Sequence, residues 1–253
     1  MYLFGTIHML PKGADWLNGP VAAAVDASGE LATEIDDPDG HATRAALAAH
    51  GTLGKDQRLA TMLSLRDNAR LARRLKAFGL PPDRFDHARP WYAAAALSAL
   101  PVMRRGFDPE DGVEAGLTRR TAARPIVRVG IETPEAQLAL LDGLPRRTQQ
   151  QYLISVIARF DSIDRTIDAM VSAWGRGDVA ALARLMNADE GQDDPLLVKR
   201  LILDRNRGFA AWVAARLTRP GVVFVAVGAG HLAGAGSVQD DLIRAGIRVD
   251  RVQ

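Results

Sequence analysis

The sequence predicts an α/β fold: a central, mostly parallel sheet with strand-Gly-x-x-His units at both chain ends, and large helical insertions between the core strands. Three observations carry this. The apolar, β-rich stretches "YLFGTIH" and "VVFVAVGAGH" each run into glycine and end on a histidine. Strand, loop, helix and strand compositions follow one another between Tyr2 and Asp36, the size of a βαβ unit. Between the remaining strand-like segments, Ala, Leu and Arg recur with helical period.

The elements read in order as follows. After the first strand, Pro20 to Ser28 reads as a short helix with proline in its first turn, the one place where its missing N–H costs nothing. "ELATEID" (Glu30 to Asp36) is a second strand, closed by the turn signal "DDPDG". From His41 to Arg124 the chain is helical, with Leu59, Met62, Leu63, Leu71 and Leu75 on one apolar face. "PIVRVGIE" (Pro125 to Glu132) returns to strand composition. "TPEAQLALLDGL" then starts a helix with Thr133 as N-cap and Pro134 at its first position. Arg146 to Gly175, Asp178 to Asn187 and Pro195 to Leu217 are helical, with Gly175 and Gly177 as breaks. "GVVFVAVGAGH", "SVQDDLIRAG" and "IRVDRV" close the chain as strand, short helix and strand. The whole of 1–253 reads as one domain, with helical insertions at about 41–124 and 145–218.

Composition narrows the chemistry. With 47% hydrophobic and 25% charged residues among 253, the chain has the make-up of an ordinary globular protein able to bury a sizeable core. The net charge of +2 comes from 32 basic and 30 acidic residues without a compact basic patch, which argues against nucleic acid as a partner. No apolar run approaches the roughly 20 residues of a membrane span. The first residues lack a basic leader, so the chain as written reads as cytoplasmic, with an extracytoplasmic place open if a leader precedes Met1. The absence of cysteine removes disulfides, thiolate metal sites and a cysteine nucleophile. No serine stands in a Gly-x-Ser-x-Gly turn, which argues against a serine hydrolase.

The functional candidates lie at strand ends, where α/β folds gather ligands. His8 and His231 follow the first and last core strands, and Glu34 and Glu132 end the two between. Parallel neighbouring strands would bring all four to one rim. Two imidazoles with one or two carboxylates suit Mn²⁺, Fe²⁺, Co²⁺ or Zn²⁺. His41, His50 and His87 read as surface residues, and Asp161, Asp164 and Asp168 as a solvated helix face. The glycine turn also fits G-x-G-x-x-A, with Asp250 where a ribose-binding acid belongs. A dinucleotide reading needs further strands for the second nucleotide half, however, and only Arg251, Val252 and Gln253 follow.

Together, "YLFGTIHMLP", "LATEID", "VGIETPEAQLALL", "LDRNRGFAAWVAARL" and "VFVAVGAGHLAG" resemble the TraB/GumN family, a branch of the superfamily that includes the TIKI metalloproteases. The resemblance runs from the first strand to the last. It implies that His8 and His231 are the signature histidines and Glu34 the signature glutamate. It matches Glu132 to the family's Gly-hydrophobic-Glu-Thr acid, and Arg205 and Asn206 to an Arg-Asn pair on the preceding helix. It further implies metal-dependent hydrolysis of peptide or protein substrates with Mn, Co or Zn. Members of the family it resembles usually carry a secretion leader before the first strand, which leaves the compartment open here.

On this reading His8, His231 and a carboxylate from Glu34 or Glu132 hold the ion while the other carboxylate takes a proton from water. The Gly228 and Gly230 amides support an oxyanion, and Arg205 binds substrate or pairs with a site glutamate. The alternative from another class is a non-catalytic binder of metal, haem or peptide. The substrate and the oligomeric state are not written in the sequence.

Overall fold

The computed structural model describes residues 1–190 and 194–252. Among the described residues six strands occur: β1 (Tyr2–Thr6), β2 (Leu10–Pro11), β3 (Glu30–Ile35), β4 (Phe107–Asp108), β5 (Val127–Glu132) and β6 (Val223–Gly228). The long four form one parallel sheet in the order β1-β6-β3-β5, and β2 and β4 make a small antiparallel ribbon. The helices are α1 (Gly19–Asp26), α2 (His41–His50), α3 (Leu65–Ala77), α4 (Pro90–Arg104), α5 (Val113–Thr121) and α6 (Pro134–Asp142). Then follow α7 (Arg146–Arg159), α8 (Ile163–Gly175), α9 (Val179–Glu190), α10 (Pro195–Val198), α11 (Asp204–Leu217) and α12 (Val238–Arg244). The fold is the α/β class that the sequence predicts.

β6 is central, and Val223 through Val227 are all buried, as expected for a parallel strand covered on both faces. Phe224 and Ala226 pack with Leu31 beneath Val21 and Val25 of α1 and Val113 and Leu117 of α5. Val223, Val225 and Val227 face the opposite way, onto Phe209 and Val213 of α11 and Val238 and Leu242 of α12. The sheet is therefore the middle of three layers. Burying each of these large side chains contributes about 1.5 to 3 kcal/mol.

A second core lies among α3, α4 and α7, built on Leu71, Leu75, Leu97, Leu153 and Ile157. The two long helical stretches thus meet each other, while α5 and α11, drawn from the same stretches, cover the sheet. Positions 191–193, inside the helical insertion expected over 145–218, lie outside the described residues.

Two local expectations are corrected. Leu59 and Met62 sit in a short 3-10 turn, and Ser64 begins α3 by accepting the Asp67 amide at 3.1 Å, so the leucines do not share one helix face. "IRVDRV" forms no strand. The Ile247 amide bonds back to the Leu242 carbonyl at 3.0 Å in a helix C-cap made possible by Gly246 at φ +79°, and Ile247 and Val249 only pack against the core. Among the described residues no helix is long and apolar enough to cross a membrane.

Candidate functional site

Glycine sets how the two chain ends meet. A Cβ on Gly5 of β1 would lie 2.9 Å from the Ala229 Cα, so only glycine lets the 3-10 turn Ala229–Leu232 rest against β1. The glycine of the first Gly-x-x-His motif therefore makes room for the second. Gly112 does the same for His8: a Cβ there would meet the His8 carbonyl oxygen at 2.1 Å, and the Val113 amide donates to the Ile7 carbonyl at 3.1 Å. This docks the start of α5 against the loop that carries His8.

Arg205 is the centre of the buried cluster. Its Nη2 donates to Glu34 Oε2 at 2.5 Å and to Glu132 Oε2 at 2.7 Å, and its Nε donates to Glu132 Oε1 at 3.0 Å. Gln137 on α6 donates to both carboxylates at 3.1 Å. The Gly228 amide donates to Glu34 Oε1 at 2.6 Å. Side-chain accessibility is only 11% for Glu34 and Arg205, 18% for Glu132 and 6% for His231, so these charges are held away from water and every one has a partner.

The backbone before Arg205 is a π-helical turn, Lys199–Leu203, set between α10 and α11. Such turns re-aim the residues next to them and recur at functional sites. One face of α11 then addresses His231 three times. Arg205 Nη1 lies 3.1 Å from its Nε2, Asn206 Oδ1 lies 2.6 Å from its Nδ1, and the Phe209 ring packs edge-on with centroids 5.0 Å apart. Asn206 Nδ2 donates to the Gly236 carbonyl at 2.6 Å, so its Oδ1 must accept from His231. That fixes the tautomer: Nδ1 carries the proton, and Nε2 keeps its lone pair and accepts from Arg205.

The electrostatics follow from this packing. Burial pushes the His231 pKa down from 6.5 to about 4, so the ring is neutral. Burial alone would push Glu34 up, but the Arg205 charge and the Gly228 amide outweigh it and hold the carboxylate below its usual range. Burial likewise opposes the charge on Arg205, and Glu132 and Glu34 more than restore it. Two carboxylates against one guanidinium leave the cluster with one negative charge in excess.

His8 behaves differently. Its side chain is 70% accessible, and its Nδ1 lies 2.8 Å from Glu114 Oε1 on α5. The hydrogen bond to Glu114 raises the His8 pKa from 6.5 to about 9, with the Glu34 charge adding to the effect and Arg205 opposing it. Glu114, which burial would push up, is held low chiefly by His8. The result is a carboxylate–imidazole pair whose Nε2 is open, beside a buried charged cluster.

Of the residues singled out in the sequence, Glu34, Glu132, Arg205 and His231 come together, and His8 turns to Glu114 instead. Among the described residues no three His, Cys, Asp or Glu side chains are disposed to share a metal ion. The donors are right in kind, but Glu34, Glu132 and His231 all point at the Arg205 guanidinium, so as arranged they do not fit a divalent cation. Asn206 is 1% exposed, and its Oδ1 accepts from His231 Nδ1. The Gly228 amide is taken by Glu34, so it is not an open oxyanion donor.

Away from this cluster, His50 is no simple surface residue. It joins α2 to α6 through Glu135 at 2.6 Å and Asp142 at 3.1 Å. Asp161 and Asp168 pair with Arg74 and Arg105 on the helical side of the molecule.

Sequence reasoning missed Glu114, Gln137 and Phe209. Gln137 is the one with a local signal: Thr133 caps α6 through the Ala136 amide at 3.1 Å, which brings the first turn of that helix beside Glu132. The positive end of α6 there also favours the two carboxylates.

The family model described as TraB/PrgY/gumN matches residues 1–251, nearly the whole chain. No curated protein and no solved structure matches it.

Proposed function

The chain belongs to the TraB/PrgY/gumN family, and we propose that it is a hydrolase acting on peptide or ester bonds at the carboxyl ends of its parallel strands. One observation supports this most: four segments distant in sequence bring Glu34, Glu132, Arg205 and His231 into one buried, fully bonded cluster beside the open His8–Glu114 pair. Burying charge in this way is costly, and a fold that needs only stability does as well with apolar residues. Strand carboxyl ends are also where this fold class binds ligands.

In the proposed reaction Glu114 orients His8 through Nδ1, which leaves Nε2 to take a proton from water and return it to the leaving group. Arg205, held by Glu34 and Glu132, keeps the rim beside His8 rigid, so that a scissile carbonyl is positioned there without rearrangement during the reaction. Asn206 and Phe209 keep His231 neutral and in register. No step runs through a metal ion, because the cation donors as arranged are engaged by Arg205.

A second reading is a binder of cations without turnover: the cluster carries an excess negative charge, and an ion would have to displace Arg205 from its carboxylates. Assays of purified protein against peptide and ester libraries separate the two, run with and without Mn²⁺, Co²⁺ or Zn²⁺. Hydrolysis that is lost in His8→Gln and Glu132→Gln supports the hydrolase. Tight metal uptake without turnover supports the binder.

A further inference from the structure

The outer edge of β5 leads directly into the site. The Val127 amide donates to the Gly29 carbonyl at 3.0 Å, and Glu30 pairs with Val127 and Ala32 with Val129, so these β5 residues turn their backbone groups toward β3. Alternation along a strand turns the N–H and C=O groups of Arg128 and Gly130 the other way. Among the described residues no backbone group bonds to them, and no further strand pairs with β5. Val127 is 60% exposed and Gly130 is also exposed. β5 has no proline and no bulge to close its edge, and its charged side chains are paired within the fold, Arg128 with Asp36 and Thr118 and Glu132 with Arg205.

We propose that the β5 edge is the docking site for an extended peptide segment of the substrate, which adds to the sheet as a fifth strand. This rests on the reading of the site as one that acts on peptides. Strand continuity argues for that occupant. Glu132, at the end of the same edge, is two residues from Gly130, about 7 Å along a strand, so a peptide paired at Arg128 and Gly130 delivers its next residues to the cluster. Affinity would come from backbone hydrogen bonds and be broad in sequence, with side chains on alternate positions adding preference.

The test is amide hydrogen exchange of the full chain by NMR, with and without a pool of acetylated, amidated random decapeptides. N-methyl scanning of any peptide that binds or is cut accompanies it. The expected result is slowed exchange at the Arg128 and Gly130 amides on peptide addition. N-methylation should weaken binding roughly three- to tenfold at every second position.

Peptides that bind or are cleaved while both amides exchange unchanged would overturn the docking site and leave the hydrolase standing. Protection in the free protein that grows with protein concentration would overturn it in favour of a second copy of the chain on this edge. Failure of every pool to bind also overturns it. Slowed amides without any cleavage keep the docking site and remove the hydrolase.

Discussion

At the scale of single residues, the two histidines are set to opposite tasks by their neighbours. His8 carries a pKa raised to about 9 by Glu114 and must lose its proton to act as base, so hydrolysis should rise with pH through a limb near 9. Glu114→Gln removes the cause: the limb should move down toward the ordinary 6.5, and the maximal rate should fall roughly a hundredfold as the ring loses its orientation. A limb unchanged in that variant would exclude His8 as the base. His231 is depressed to about 4. The unfolded chain therefore takes up its proton first, so the stability it contributes is full above about pH 6.5 and lost as pH falls through 4. Denaturant unfolding at a series of pH values should show this loss in the wild type, and less of it in His231→Gln. Arg205→Ala leaves Glu34 and Glu132 buried without their cation and should cost about 3 to 5 kcal/mol in the same measurement.

At the scale of elements, glycine contacts decide whether the pieces of the site meet. Gly5→Ala places a methyl group 2.9 Å from the Ala229 Cα, and Gly112→Ala places one 2.1 Å from the His8 carbonyl oxygen. Each should destabilise by about 1 to 3 kcal/mol. The first should disturb His231 and the second His8, read as shifts of the two imidazole signals in NMR.

This is also the scale at which the sequence became partly opaque. Glu34, Glu132 and His231 were legible because each stands at a strand end, and parallel strands share a rim. Thr133 and Pro134 announced α6 correctly. Glu114 was not legible: it is one acid among 30, carried by α5, and only the Gly112 contact brings it to His8. Asn206 was legible as a neighbour of Arg205, but its burial depends on how α11 packs on the sheet. The strand expected at "IRVDRV" failed because apolar alternation is equally satisfied by packing alone.

At the scale of the whole molecule, the sheet has two buried arginine–carboxylate arrangements. At the opposite ends of the strands, Arg216 on α11 holds Glu30 at 2.9 Å, with side chains 8% and 16% accessible. That pair has no histidine and no open neighbour like His8, and it ties α11 to the start of β3. It serves as a built-in control, since Glu30→Gln should lower stability without changing the rate per folded molecule. The most direct test of the account compares hydrolysis of a peptide and ester library by the wild type, Glu132→Gln and Glu30→Gln at equal folded concentration. The account predicts turnover by the wild type and by Glu30→Gln, and a loss of roughly a hundredfold or more in Glu132→Gln. Equal rates in all three, or no turnover by the wild type with or without added Mn²⁺, Co²⁺ or Zn²⁺, would contradict it.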